Sequence, residues 1–349
     1  MDSSLLNTPY ISDILYQPDA LRATVDGFAD LDESVFRAYA RCLSEGSLKR
    51  VVLTGMGSSY YACHGLHLRL IEQGIPAEMI ETSELIHFAP ALFTPETLVV
   101  AVSQSGRSVE LTEMLEMMGG RVPCIGITNT AESPLADQSN AVILTRAGEE
   151  GTVSCKTYIS GLAGLMVLGD LLTGKDTRAT LDACRAAADG IEQYLTNWKG
   201  AVEEAIKALT GVRDVIYTGR GTSLSAVGTG GLICKEAAHF HSEGMSSAAF
   251  RHGPYEMTSP SLFVLVYAGL GPARKLNENL VSDVKAAGGR TALVERRAGQ
   301  SIFNLPDVPD ETLPIAEILP AQLFSVALAL LNHHAPGVFH LGSKVTEVA

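Results

Sequence analysis

The chain has 349 residues, 46% of them hydrophobic and 19% charged, and a net charge of −13 at pH 7. That length predicts two domains rather than one core, and the composition is that of a compact globular protein. The acidic balance argues against nucleic acid as a partner, since phosphate backbones are held by clustered Lys and Arg, but a local nest of backbone N–H groups can still bind a small phosphorylated ligand.

In chain order, residues 1–30 are expected as an N-terminal helical segment, and a helical pattern runs from 10 to 48, with Gln17-Pro18-Asp19 as a start signal. A first α/β domain is expected over 31–175. Its strands fall near 50–54, 78–82, 97–103, 122–127 and 141–145, and its helices near 59–73, 108–119 and 156–173. Residues 176–208 read as a helical connector. A second domain over 209–335 has strands near 213–218, 262–267 and 291–295, and 336–349 is a tail carrying Lys344. The cysteines Cys42, Cys63, Cys124, Cys155, Cys184 and Cys234 are scattered, with no Cys-x-x-Cys pair, which predicts reduced thiols in a cytoplasmic protein. No signal peptide is visible, and the apolar runs Gly161–Leu168 and Leu323–Leu331 are too short to cross a bilayer, so no membrane partner is expected.

The chain repeats itself. Val52-Leu53-Thr54-Gly55-Met56-Gly57-Ser58-Ser59 returns as Ile216-Tyr217-Thr218-Gly219-Arg220-Gly221-Thr222-Ser223, 164 residues later. Each copy is a β-branched run, a glycine turn and a helix start bearing hydroxyls, the strand–turn–helix unit of an open parallel sheet. The same offset brings Thr97–Ser103 onto Ser261–Tyr267 and Glu72 onto Glu236. A period this long means a duplicated α/β domain rather than a solenoid. The fold expected is two tandem doubly wound parallel sheets, each a flavodoxin-like sandwich.

The copies diverge in their chemistry. After the third strand the first reads Ser103-Gln104-Ser105-Gly106-Arg107-Ser108, a hydroxyl- and amide-rich turn into a helix. The second, at the same offset, reads Tyr267-Ala268-Gly269-Leu270-Gly271. The first suits a phosphate dianion, where N–H groups, the helix dipole and Ser hydroxyls converge; a bare polar turn with an N-cap is the alternative reading. Ser58 and Ser59 at the mouth of another strand of the same sheet favour the anion site, because ligands in such sheets bind beyond the strand C-termini. One phosphate site per chain follows.

In the second half, Cys234-Lys235-Glu236-Ala237-Ala238-His239-Phe240-His241 and Phe250-Arg251-His252-Gly253-Pro254 offer a carboxylate and an imidazole as base and acid. A Glu on an amphipathic helix more often faces solvent, and Glu72 is its internal control. Glu236-x-x-His239 has di-metal spacing but lacks the second helix such sites need, so no metal and no other cofactor is expected. His333, His334 and His340 read as surface residues. Gly228-x-Gly230-Gly231 lies inside a helical stretch, which is wrong for a pyrophosphate cradle and right for helix packing.

Taken together, these residues resemble, over essentially the whole chain, the isomerase portion of glutamine–fructose-6-phosphate aminotransferase, two sugar-isomerase (SIS) domains in tandem. Tyr16-Gln17-Pro18 resembles the start of that portion. Gly57-Ser58-Ser59 and the Ser103–Ser108 loop are similar to its phosphate-binding turns, and Lys235-Glu236 and His252-Gly253-Pro254 to its catalytic motifs. Ser343-Lys344-Val345-Thr346 approximates its terminal signature. The resemblance implies that Ser59, Ser103, Gln104, Ser105 and Ser108, with Ser58, Ser154 and Ser343 beside the substrate, hold a phosphorylated sugar. It further implies that Glu236 moves a proton between C1 and C2, His252 assists ring opening from across a subunit boundary in a homodimer, and Lys344 forms a Schiff base.

Five departures from that pattern stand out. No glutaminase domain is expected ahead of the isomerase part, Ile233 replaces a lysine, Arg107 replaces an acidic residue, Ser154-Cys155-Lys156 replaces Ser-Thr-Lys, and Lys344 is displaced by one residue. The form Ser-Gln-Ser-Gly-Arg-Ser is more similar to stand-alone paralogues that deaminate amino-sugar phosphates or cleave fructosyl-amine 6-phosphates. A deaminase or deglycase is therefore expected. The alternatives are a plain aldose–ketose phosphate isomerase, an ammonia-dependent glucosamine-6-phosphate synthase, and, in another class, a sugar-phosphate-binding regulator without turnover.

Overall fold

The structure is a computed structural model that describes residues 3–341 and 344. The chain forms two compact units, each built on one five-stranded parallel sheet. One comprises Asp19–Glu149 and Lys156–Arg185; the other comprises the chain up to Pro18, Glu150–Cys155 and Ala186–Leu341.

Helices α1 (Pro9–Leu15), α2 (Gln17–Gly27) and α3 (Ser34–Glu45) come first in the chain. The expected long helical pattern over 10–48 is thus three helices. Thr8 caps the first and Gln17 opens the second, as the Gln-Pro-Asp signal predicts. The first sheet takes β1 (Arg50–Gly55), β2 (Ala77–Glu81), β3 (Thr97–Val102), β4 (Cys124–Thr128) and β5 (Ala141–Leu144) in the order β2-β1-β3-β4-β5. Between and after them run α4 (Ser58–Ala62), α5 (His64–Glu72), α6 (Thr82–Phe88), α7 (Val109–Met118), α8 (Pro134–Gln138) and α9 (Lys156–Leu172). β1 and β3 are buried along nearly their whole length, which is why they read as continuous apolar runs rather than alternating ones. Val52, Val99 and Ala101 pack with Leu111, Met114 and Leu115 on one face.

The residues between the sheets form two helices, α10 (Arg178–Leu195) and α11 (Trp198–Leu209). The second sheet then takes β6 (Asp214–Gly219), α12 (Leu224–Ala238), β7 (Ser242–Ser246), α13 (Ser247–Arg251), β8 (Leu262–Tyr267), α14 (Ala273–Ala286), β9 (Arg290–Arg296), β10 (Asn304–Leu305) and α15 (Leu313–Leu331). Its order, β7-β6-β8-β9-β10 read from the other edge, repeats that of the first. β7, Ser242-Glu243-Gly244-Met245-Ser246, has no apolar run and escapes a reading by pattern; it exists because it pairs in register with β6.

Two expectations change in detail. β6 follows β1 by 164 residues, since Asp214 and Arg50 take matching registers, but Leu262 pairs with Asp214 where Thr97 pairs with Arg50. β8 is therefore displaced from β3 by 165 residues, and one extra residue lies before β7. The turn that answers Ser103–Ser108 is Ala268-Gly269-Leu270-Gly271-Pro272-Ala273, which also lacks side-chain donors. The final apolar stretch is longer than Leu323–Leu331. Asp310–Leu331 has a mean hydropathy of 1.7 and the length to cross a membrane, yet it is packed inside its own unit as a core helix.

The glycines of α12 serve packing. A Cβ on Gly231 would lie 2.5 Å from the Gly244 nitrogen and 2.8 Å from the Glu243 carbonyl carbon, so the helix rides directly on the backbone of β7. In the same unit, Gln17 and Gln322 exchange reciprocal amide hydrogen bonds, both 2.9 Å, and the Tyr10 hydroxyl meets Ser325 Oγ at 3.0 Å.

Candidate active site

In the first sheet the chain reverses direction of travel between β1 and β3, so the turns after these strands flank the crevice where open α/β sheets bind ligands. The turn after β1 carries Ser58, buried, and Ser59, half-buried. A Cβ on Gly55 would stand 2.8 Å from the Val102 carbonyl oxygen and 3.1 Å from Ser59 Cβ. Gly55 thus leaves room on its own side for both Ser59 and the end of β3.

The loop Ser103–Ser108 is fixed from below. The Gln104 carbonyl accepts from the Asn129 N–H at 3.1 Å, the Thr128 hydroxyl at 3.2 Å and the Thr130 hydroxyl at 3.4 Å. The Gly106 carbonyl accepts from the Leu135 N–H at 3.1 Å. Arg107 folds back, donating to the Glu132 carbonyl at 2.8 Å. Gly106 holds φ +64°, a left-handed conformation that lets the chain pass tight against Thr128 and Ser133. Ser103 Oγ accepts the Gly106 N–H at 3.1 Å and Ser105 Oγ accepts the Arg107 N–H at 3.3 Å. A hydroxyl that accepts still has its own proton to donate, so these two bonds orient the serines without consuming their donor capacity. Ser108 occupies the N-cap of α7, but its hydroxyl makes no capping bond. The result is a fixed set of hydroxyl and amide donors at a helix N-terminus, an arrangement that takes an anion.

The corresponding place in the second unit is closed by the protein itself. Ser223, the counterpart of Ser59, donates to Glu317 Oε1 on α15 at 2.7 Å. Asn277 donates to the carbonyls of Tyr267 at 2.9 Å and Ala268 at 3.1 Å, and accepts from Ser247 at 2.7 Å. Glu317 is buried, and that burial pushes its carboxyl up to about 7 against the lowering effects of Ser223 and Arg296. Nothing in the sequence pattern singles out this glutamate; only its pairing with a turn serine does.

The remaining candidates belong elsewhere. Glu236 sits half-buried in the last turn of α12, where its charge is the smallest of the causes that raise the buried Tyr10 phenol, after burial itself, Cys155 and Cys234. Glu72, its counterpart, is exposed at the end of α5, so the two copies of this position differ in environment. Ile233 is buried in the helix core. His252 follows α13 and is exposed. Ser154 is half-buried beside Cys155, whose N–H donates to Glu150 Oε1 at 2.9 Å. Glu236, His252 and Ser154 lie in the second-sheet unit, and the serine loop lies in the first. Lys344 is half-buried, and Ser343 lies outside the described residues. Among the described residues no group of three or more His, Cys, Asp or Glu side chains is placed to hold a metal ion.

Residues 47–171, from just before β1 into the end of α9, match the family of the SIS domain. That stretch carries a SIS domain. The chain is 27% identical over 340 residues to glutamine–fructose-6-phosphate aminotransferase (isomerizing) of Pyrococcus horikoshii, an alignment covering 93% of this chain and 55% of that one. The chain thus spans about half the length of such relatives. Among solved structures, the C-terminal domain of glucosamine-fructose-6-phosphate aminotransferase from Francisella tularensis superposes with a TM-score of 0.81 at 20% identity, covering 98% of each chain. Glucosamine-6-phosphate deaminase from Thermotoga maritima gives 0.77 at 18% identity, covering 98% of this chain and all of that one. These likenesses show the same tandem α/β fold.

Proposed function

We propose that this protein is an enzyme acting on a ketose or aldose 6-phosphate or its amine derivative, and that it removes the amine. The observation carrying this reading is the contrast between the two switch-point crevices. In the first unit Ser103 and Ser105 are oriented by backbone N–H groups and keep their protons for an incoming phosphate. In the second, the Ser223 proton is directed to Glu317. One phosphate site per chain, with the chemistry supplied by other residues, is the division this supports.

For an open-chain 2-amino-2-deoxyaldose 6-phosphate, Glu236 takes the proton from C2 and delivers it to C1, converting the aminoaldose into a ketimine. The Lys344 amine then adds at C2 and ammonia leaves, and water hydrolyses the resulting lysine imine to give the ketose 6-phosphate and the free lysine. His252 assists ring opening, and its exposure on the isolated chain suits delivery into the site of a second copy. Lys344 holds the ketose as an imine, with Ser154 and Ser343 beside the sugar. Ser58, Ser59, Gln104 and Ser108 complete the phosphate grip. The preference for amine removal within this class rests on the Ser-Gln-Ser-Gly-Arg-Ser form of the loop.

The test is incubation of the purified protein with glucosamine 6-phosphate, with fructose 6-phosphate plus ammonium, and with fructosyl-amino-acid 6-phosphates, following ammonia and amino-acid release. Release from the first or third, lost in Glu236→Gln, is the expected result. Turnover undiminished by Glu236→Gln removes the proton-carrier assignment. Interconversion of sugar phosphates without amine release identifies a plain isomerase, and binding without turnover a sensor.

A further inference from the structure

An α-helix leaves its last four carbonyls without intrahelical partners. In α12 these belong to Lys235, Glu236, Ala237 and Ala238, the turn that carries the candidate proton carrier. Two of the four are taken by the segment after α15. The Gly337 N–H donates to the Ala237 carbonyl at 2.9 Å, and His334 Nε2 lies 2.8 Å from the Ala238 carbonyl. A carbonyl only accepts, so Nε2 carries the proton.

The imidazole is held in that pose from its own side. It stacks on His239 with ring centroids 5.0 Å apart, and His239 meets His340 edge-on at 4.8 Å. His239 is itself the left-handed residue that ends α12, at φ 48°, with its N–H turned back to the Cys234 carbonyl. Its partial burial, and then the neighbouring His334 and His340, lower the His239 imidazole from its ordinary range, against the raising effect of a hydrogen bond with the Val338 backbone. Gly337 lies flat against Tyr10, where an added Cβ would come within 2.8 Å of the ring carbon Cγ. Tyr10 is the same phenol on which the Glu236 charge acts.

We propose that the segment His334–Gly337 is a splint that fixes the last turn of α12, and with it the aim of the Glu236 carboxylate, making His334 a positioning residue for proton transfer. The proposal rests on the reading of Glu236 as the proton carrier. Helix ends fray when their carbonyls are unsupported, and a reacting group displaced by about 1 Å can lose a hundredfold in rate. His334 anchors the backbone two residues beyond Glu236 and does not touch the sugar.

The experiment compares the full chain with His334→Ala, His334→Gln and Glu236→Gln. Glutamine is chosen because its amide nitrogen reaches about as far as Nε2. Ammonia release from glucosamine 6-phosphate and interconversion of fructose 6-phosphate are measured alongside amide hydrogen exchange over residues 235–240. His334→Ala is expected to lower kcat roughly ten- to a hundredfold with little change in KM, and to speed exchange at His239 and Phe240. His334→Gln should recover most of both. His239→Ala, which removes the ring that stacks on His334 and meets His340 but leaves the hydrogen bond of His334 in place, should give a smaller loss in the same direction and guards against a folding defect in His334→Ala. Unchanged exchange in His334→Ala, a loss confined to KM, or a glutamine variant as poor as alanine overturns the splint. An inactive Glu236→Gln beside a fully active His334→Ala rejects the splint alone, whereas a fully active Glu236→Gln rejects the proton carrier. Where the parent turns over neither sugar phosphate, the exchange measurement decides.

Discussion

The Ser223 hydroxyl donates to Glu317 Oε1 at 2.7 Å, so the second sheet's copy of Ser59 directs its proton to the protein's own carboxyl. Glu317 Oε2 is buried with no hydrogen-bond partner among the described residues, and burial is the largest cause of its upward shift to about 7. A carboxyl whose folded value exceeds its unfolded one binds more protons in the native state between the two values. Stability therefore falls as pH rises from about 4.5 to about 7 and is level above. At about 1.4 kcal/mol per unit the full effect is of order 3 kcal/mol. Glu317→Gln keeps an acceptor for Ser223 and removes the titration. In urea unfolding it should be more stable than the parent at pH 8, with the difference vanishing near pH 5; parallel pH profiles for the two proteins would contradict the assignment.

The serine loop predicts a binding effect. Ser105→Ala with Ser108→Ala removes two hydroxyl donors from a dianion, each worth roughly 1.5–3 kcal/mol in a charged hydrogen bond. The change should appear as a raised KM for whichever sugar phosphate is turned over, with the melting temperature little altered, since neither hydroxyl caps a helix. A KM equal to that of the parent takes the loop out of the site.

Gly106→Ala tests the shape of the same loop. At φ +64° an L side chain costs about 1–2 kcal/mol, and the new Cβ would sit 3.0 Å from Thr128 Oγ1 and 2.7 Å from Ser133 Cβ. Relief requires the loop to move off β4, which displaces Ser103 and Ser105. Weaker phosphate binding and a lower melting temperature should occur together, in contrast to the serine double variant; calorimetric titration with inorganic phosphate and a thermal melt separate the two.

Gly231→Ala tests the approach of α12 to β7. Because the atoms it would meet are backbone, of Glu243 and Gly244, neither side can yield by a rotamer change. Overpacking of this kind costs about 1–3 kcal/mol. Since Glu236 is on the same helix, reduced turnover should accompany the loss of stability seen in urea. A variant as stable as the parent would mean that the helix and strand are not so closely packed.

Much of this arrangement is legible in the chain itself. β1, β3, β6 and β8 announce themselves as apolar runs because a parallel sheet covered on both faces needs apolar side chains at every position. The Gly-x-Gly-hydroxyl turns mark the strand ends, since that backbone geometry constrains residue type locally. β7 leaves no such mark: Ser242–Ser246 becomes a strand only through its pairing with β6, and the extra residue before it shifts the repeat by one. His334 reads as a surface residue until the end of α12 is set beside it.

The sequence by itself determined the duplicated α/β plan and the hydroxyl-rich loop of Ser103–Ser108, because strand burial and turn conformation act on residues near one another in the chain. Tertiary structure alone decided that Ser223 is engaged by Glu317, 94 residues away, and that the final segment braces the turn bearing Glu236. Hydrogen-bond satisfaction depends on which groups meet in space, and in these pairs the partners lie too far apart in sequence for any periodicity to record them.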